Sequence, residues 1–234
     1  ALLYQRDLFK LLSSRSISIP PLKQYRPTRD LLHVSGLLLT GDTLDVFVCH
    51  LPSRSGGAKE SESYRLYAAH ILRMEVDSIM SIRSLPQVII MGDFNDYPTN
   101  QSIQKILEAE APPVTTNNLA STTGSTNFST VAPSSLKLYH LLARKAKSKD
   151  FGSYKYRGEW GLLDHLIVSG TLLNQSNHFF TSEEKANVCL LPFLLKDDEK
   201  YGDKEPFRTY KGMKYQGGVS DHLPIYADFE LILY

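Results

Sequence analysis

Asp93 and Asn95 end the stretch VIIMGDFNDYPTN, and their types and spacing raise a chemical question. Val88, Ile89, Ile90 and Met91 carry no polar atom in their side chains, so the run reads as a strand buried on both faces. In extended chain, residues two apart point the same way. A carboxylate and an amide placed two apart can therefore converge on one ligand, and ligand sites in α/β sheets favour the carboxyl ends of strands. Gly92, Asp96 and Pro98 are also ordinary turn formers, so the motif alone decides nothing.

Further residues of the same kind stand where strands should meet loops. His50 ends the run LDVFVCH, Asp164 opens DHLIVS, and Asp221-His222 precede LPIYADFEL. Taken as a set, they fit hydrolysis of a phosphate ester. That reaction needs an oriented water, donors for charge growing on the phosphoryl oxygens, and help for the leaving oxygen. Asp93 can accept a proton from water, and Asn95 can donate to a phosphoryl oxygen or steady Asp93. A histidine kept cationic by a carboxylate is a strong donor, which makes His222 with Asp164 a candidate pair. Asp221 is a hard oxygen ligand suited to Mg²⁺, His50 can contact the phosphate or the leaving group, and Arg26, Arg29 and Arg54 are candidate phosphate clamps.

The elements that must position these residues follow from periodicity. Residues 31 to 39 and 43 to 49 are apolar runs joined by Thr40-Gly41-Asp42, a hairpin pattern. Residues 62 to 84 have helical spacing, with Ala68, Leu72, Val76, Ile79 and Ile82 on one face and Arg65, Arg73, Glu75 and Arg83 outside it. Short helices are expected at about 100 to 109 and 136 to 146, around a Ser/Thr/Asn/Pro-rich loop at 112 to 135. Strands interrupted irregularly by helices indicate a mixed α/β architecture of the α+β type.

Composition sets outer bounds. At 234 residues, 42% hydrophobic and 22% charged, the chain can bury a sizeable core. A net charge of +1 neither announces nor excludes a nucleic-acid partner, although Arg144, Lys145, Lys147, Lys149, Tyr154, Lys155, Tyr156 and Arg157 form a basic, aromatic stretch. Tyr201, Phe207, Tyr210 and Tyr215 lie in a second aromatic segment, of the kind a phospholipid substrate would want. Cys49 and Cys189 have no zinc or CxxC spacing and read as buried thiols. No apolar run is long enough to span a bilayer.

GDFN at 92 to 95, SDH at 220 to 222, LLDHLIVS at 162 to 169 and CHLPSR at 49 to 54 together resemble the endonuclease/exonuclease/phosphatase family. The longer context, RPTRD, CHLPSRSGG and EPFRTYKG, resembles a Bacteroides-like bacterial subgroup of it. The resemblance covers nearly the whole chain as one domain, 1 to 234. It implies a DNase-I-like sandwich of two mixed β-sheets flanked by helices. It also implies a Mg²⁺- or Mn²⁺-dependent phosphoesterase acting on a phosphodiester, with nucleic acid (DNA or RNA) the favoured partner. In that scheme Asp93 activates water, Asn95 assists, His222 with Asp164 stabilises the transition state, and Asp221 binds metal. The family's main metal-binding Glu and a metal-binding Asn lie on strands ahead of the hairpin, and ALLYQRDLF offers neither. The expectation is a domain incomplete at its N-terminus, its exposed sheet surface covered by that missing segment or by a second chain. A non-catalytic phosphate-binding module is the rival from another class.

Overall fold

The structure, a computed structural model, describes residues 1–23, 27–114 and 133–233. Arg26 and most of the Ser/Thr-rich loop expected at 112 to 135 lie outside the described residues.

The chain opens with β1 (Phe9–Ile17), then the hairpin β2 (Leu31–Leu38) and β3 (Thr43–His50), then helix α1 (Glu62–Ile82) and β4 (Gln87–Asp93). There follow β5 (Leu138–His140), the hairpin β6 (Tyr154–Tyr156) and β7 (Glu159–Gly161), and β8 (Asp164–Ser169). Six of these form one sheet in the order β1-β2-β3-β4-β8-β5. The β3–β4 pair is parallel, because α1 crosses between them, and β4–β8 is antiparallel.

Alternation along β4 divides the core. Val88 and Ile90 face α1 and join Phe47, Cys49, Ala68, Leu72, Val76 and Ile167 in one apolar cluster. Ile89 faces the other way, with Val34, Val46, Leu166, Val168, Phe179, Ala186, Val188 and Leu223. This second layer is built from short two-stranded ladders, among them Ala186–Val188 with Ile225–Ala227 and Phe179–Phe180 with Glu230–Leu231. The fold is thus of the mixed α+β, DNase-I-like kind.

Several sequence expectations need correction. Residues 136 to 146 contain strand β5 and a 3₁₀ turn at Lys145–Lys147 rather than a helix, because Leu138–His140 pair with β8. The N-terminal ALLY, which reads from the sequence like the tail of a strand, forms none, and the first strand begins at Phe9. On α1, Ile82 is 69% exposed while Arg65 is 1% exposed, the reverse of the amphipathic assignment. Cys49 is buried, but Cys189 is only half-buried.

Candidate active site

Three adjacent strands deliver the candidate residues to one end of the sheet. The register places His50 of β3 beside Asp93 of β4, and Asp93 beside Asp164 of β8. The close approach of β3 to β4 here depends on Gly92, whose φ is +136°. A Cβ at that position would lie 1.9 Å from the Cys49 carbonyl oxygen. Beyond the strand, Asn95 is also left-handed, at φ +52°. Its backbone N–H donates to Asp93 Oδ1 at 2.8 Å, and its Nδ2 donates to the Leu51 carbonyl at 3.1 Å and to Asp93 Oδ2 at 3.4 Å. Of the two uses open to Asn95, this geometry is the one that holds Asp93.

The fourth member arrives from far along the chain. Leu223 N–H donates to the Ser153 carbonyl at 2.7 Å, and His222 bridges Tyr154, so the 220–223 segment is laid against the β6 edge. That places His222 Nδ1 2.7 Å from Asp164 Oδ2, which also accepts from Ser153 Oγ at 2.5 Å. With Nδ1 given to the carboxylate, a protonated His222 has Nε2–H left to donate. His50 Nε2 lies 3.6 Å from Asp93 Oδ2 and has a side chain 43% exposed.

The charges around these groups move their proton affinities. Burial pushes the Asp93 carboxyl up; the Asn95 N–H opposes this, Asp164 adds to it, and His222 and His50 pull the other way, with the net above the usual 3.8. For His222, burial disfavours the cation, but the Asp164 hydrogen bond and the charges of Asp164, Asp93 and Asp221 outweigh it and raise it above 6.5. Site geometry therefore favours a more basic carboxylate beside an imidazolium.

Asp93, Asp164 and His222 offer ligand atoms all within 4.8 Å of one another. The two carboxylates are hard oxygen donors of the kind Mg²⁺ and Mn²⁺ take, whereas His222 as an imidazolium, with Nδ1 on Asp164, offers no lone pair to a metal. Asp221 is exposed next to His222 and is not in that cluster. Arg29 is exposed just ahead of β2. Arg54 reaches the site, but its guanidinium is engaged: Nε donates to the Asn95 carbonyl at 2.6 Å, Nη2 to Asn100 Oδ1 at 3.3 Å, and the group lies 4.3 Å over the Tyr97 ring.

The basic stretch thins out likewise. Arg144 pairs with Glu183, Lys145 donates to the Ala186 carbonyl, and Lys155 is buried against Asp198 at 3.1 Å. What remains by the site is aromatic: Tyr154 packs 4.9 Å from the His222 ring, Tyr156 runs parallel to Tyr154, and Arg157 lies 5.2 Å from the Tyr156 ring.

Sequence reasoning missed the residues behind the site. A neutral histidine chain runs beneath it: Leu142 N–H donates to His140 Nδ1, His140 Nε2–H to His165 Nδ1, and His165 Nε2–H to the Asp96 carbonyl at 2.8 Å. The tautomers follow from the ends, since a backbone N–H only donates and a carbonyl only accepts. Burial holds both rings neutral, His165 down to about 4. Ser153 carries no motif that would have marked it, and Asp96, Tyr154 and His165 stand in stretches singled out from the sequence but not for these contacts.

Asp93, Asn95, Asp164 and His222 thus meet at one end of the sheet. The sequence pattern of the Endonuclease/Exonuclease/phosphatase family matches residues 1–231, and the chain belongs to that family, whose members hydrolyse phosphoesters. A search of curated proteins by sequence finds no match. Among solved structures, the human Nocturnin catalytic domain with bound sulfate superposes with a TM-score of 0.51 at 20% identity, covering 98% of this chain and 62% of that one. The mannosyl-6-phosphatase of Bacteroides thetaiotaomicron VPI-5482 gives 0.55 at 15% identity, covering 97% and 68%. TDP2 of D. rerio complexed with single strand DNA product gives 0.51 at 15%, covering 96% and 70%. At these identities the likeness is one of fold. This chain spans less than two thirds of the Nocturnin structure's length.

Proposed function

We propose that this chain is the catalytic part of a divalent-metal-dependent phosphodiesterase. The observation that carries the reading is the convergence of Asp93, Asp164 and His222 from two strands and a distant loop, with His222 Nδ1 seated on Asp164. In the proposed reaction Asp93, steadied by Asn95, accepts a proton from water as the water oxygen attacks phosphorus in line. His222 Nε2–H donates to the phosphoryl oxygen on which charge grows, the ester P–O bond breaks, and the leaving oxygen takes a proton from solvent water, with His50, 3.6 Å from Asp93, as the side chain that would contact the phosphate or the leaving group. Mg²⁺ or Mn²⁺ would supply charge neutralisation at the phosphate, with the exposed Asp221 as the hard oxygen ligand that this chain offers beside His222. The intact set speaks against a purely binding module, since holding a phosphate does not require a base fixed in place by an amide.

Nucleic acid, DNA or RNA, is the favoured substrate. Support comes from the aromatic and cationic mouth formed by Tyr97, Tyr154, Tyr156 and Arg157, because bases stack on such surfaces in a sequence-tolerant way. A phosphomonoester is the second reading, in keeping with the sugar phosphatase among the similar folds. Exposed Tyr201, Tyr210 and Tyr215 suit a phospholipid head-group substrate on the same core. Edge strand β1 leaves Leu11 and Leu12 exposed, where a further segment or a second chain would pack.

Hydrolysis of bis(p-nitrophenyl) phosphate with Mg²⁺ or Mn²⁺, and its loss on chelation, tests the class. The expected result is metal-dependent release of p-nitrophenol from this chain or from a version extended at its N-terminus. If both forms are inactive on the diester yet turn over p-nitrophenyl phosphate, the monoester reading replaces it. Inactivity on both substrates removes the enzymatic reading.

A further inference from the structure

The loop that carries Asp93 and Asn95 is not self-supporting. Asn95 sits at φ +52°. Asn tolerates that region better than most side chains, so the conformation is open to it, and what fixes the loop is what surrounds it. The surroundings here centre on Asp96, which is 1% exposed. Its Oδ1 lies 2.8 Å from Arg65 Nε, a buried charge contact without the alignment of a hydrogen bond, and 3.5 Å from Arg54 Nη2, and its Oδ2 accepts from Ser102 Oγ at 2.7 Å. Its carbonyl accepts from His165 Nε2–H at 2.8 Å, and His165 directly follows Asp164 on β8. One residue thus fastens the loop to α1 through its carboxylate and to β8 through its main chain.

Arg65 is held as firmly. Its guanidinium donates to Ser61 Oγ and to the Ala58 carbonyl, each at 2.6 Å, and the residue is 1% exposed. A buried ion pair gives little net stability compared with an apolar pair of the same size, so stability alone does not account for one here. Its place does: Asp96 is one residue past Asn95 and three past Asp93.

We infer that Arg65 and Asp96 are positioning residues, a buried clamp that aims Asp93 and Asn95 at the Asp164–His222 pair. Neither touches substrate in this assignment. The kinetic part rests on the phosphodiesterase reading; the geometric part does not.

The test is the double variant Arg65→Met with Asp96→Asn, which removes both buried charges together; the part-exposed Arg54 loses only its 3.5 Å contact and keeps its bonds to the Asn95 carbonyl and Asn100. Hydrogen exchange is followed at the Asn95 amide, the donor to Asp93, with the Ile90 amide in mid-strand as reference. Steady-state kinetics on bis(p-nitrophenyl) phosphate with Mg²⁺ are measured on the same preparation. We expect exchange at Asn95 to quicken about tenfold or more while Ile90 keeps its protection, local opening without global loss. We expect kcat to fall about 100-fold, the scale of a catalytic group displaced by an ångström, with KM within about threefold of the parent. Arg65→Lys, which keeps the charge but not the planar fork, should recover part of kcat. Asn95 exchange within about threefold of the parent overturns the proposal on the convention that smaller changes are not local opening. Quickened exchange with unchanged kcat also overturns it, because the clamp would then be structural only. If the parent hydrolyses no phosphoester, the phosphodiesterase reading fails, and Asn95 exchange alone still decides whether the clamp exists.

Discussion

At the residue scale, the proposed reaction asks two groups to stand in opposite protonation states. Asp93 must be ionised to take a proton from water, and His222 must be protonated to donate one. Both have affinities displaced upwards, Asp93 by burial and the nearby Asp164 against the pull of Asn95, His222 and His50, and His222 by Asp164, Asp93 and Asp221 against burial. Activity should therefore rise as pH climbs through a value above 3.8 and fall again through a value above 6.5, a bell displaced to higher pH on both limbs. The pH dependence of kcat/KM checks this, and a high-pH limb at or below the ordinary histidine value would remove His222 as the donor. His222→Ala and Asp93→Asn should each lower kcat about 10²–10⁴-fold, the usual worth of a general acid or base, with little change in melting temperature. Paired measurements of kcat and thermal unfolding decide it. These residues were legible because GDFN, DHLIVS and SDH put ionisable groups at strand ends. Arg65 was misread because the partner that draws it inside, Asp96, lies on the far side of a strand and a helix, which periodicity does not register.

At the element scale, aim comes from how closely the strands meet. β3 and β4 are parallel neighbours whose ends bring His50 level with Asp93. Gly92 makes this possible, since its φ is +136° and a Cβ would meet a backbone carbonyl oxygen at 1.9 Å. Backbone cannot rotate away as a side-chain tip can, so Gly92→Ala must either separate the strands or twist the loop. The expected cost is on the order of 1–3 kcal/mol in urea unfolding, together with a fall in kcat, because the strand end that moves is the one bearing Asp93. A variant with full activity and an unchanged urea midpoint would show that the strand ends are looser than this geometry requires. Long periodic elements were readable in advance: α1, the β2–β3 hairpin, β4 and β8 all fall close to their expected bounds. The failures were short or exposed. β5 has three residues and exists only because β8 offers a partner, while β1 reads FKLLSSRSI, with no alternation, and is exposed over all but its two ends.

At the scale of the whole molecule, the two ends of the sheet carry different networks. The end proposed to be catalytic gathers groups at the carboxyl ends of β3 and β4, whereas Asp45, near the start of β3, anchors the opposite end. Asp45 is wholly buried and bonded by His33 Nε2 at 2.9 Å and by Arg83 Nε at 2.9 Å, just past the end of α1. Burial alone would raise its carboxyl, but His33, Arg83 and Ser35 outweigh that and hold it below 3.8. A carboxylate depressed in the folded state adds stability that is present above its unfolded value and is lost as pH falls through the folded one. Arg83→Met would leave a buried charge with one partner fewer, so unfolding at neutral pH should cost about 3 kcal/mol less, the low end for a broken buried pair because Arg83 is partly solvated. The difference between variant and parent should shrink as pH falls towards the parent's depressed Asp45 value, because the variant's carboxyl, without Arg83 to depress it, takes up its proton at a higher pH than the parent's does. Urea unfolding of both proteins across that range gives the answer. A gap that stays constant with pH would mean that Arg83 acts by packing its stem rather than by neutralising Asp45. Since this network lies at the other end of the sheet from Asp93, a folded Arg83→Met protein should keep its kcat, which separates the anchoring of the sheet from the aiming of its catalytic end.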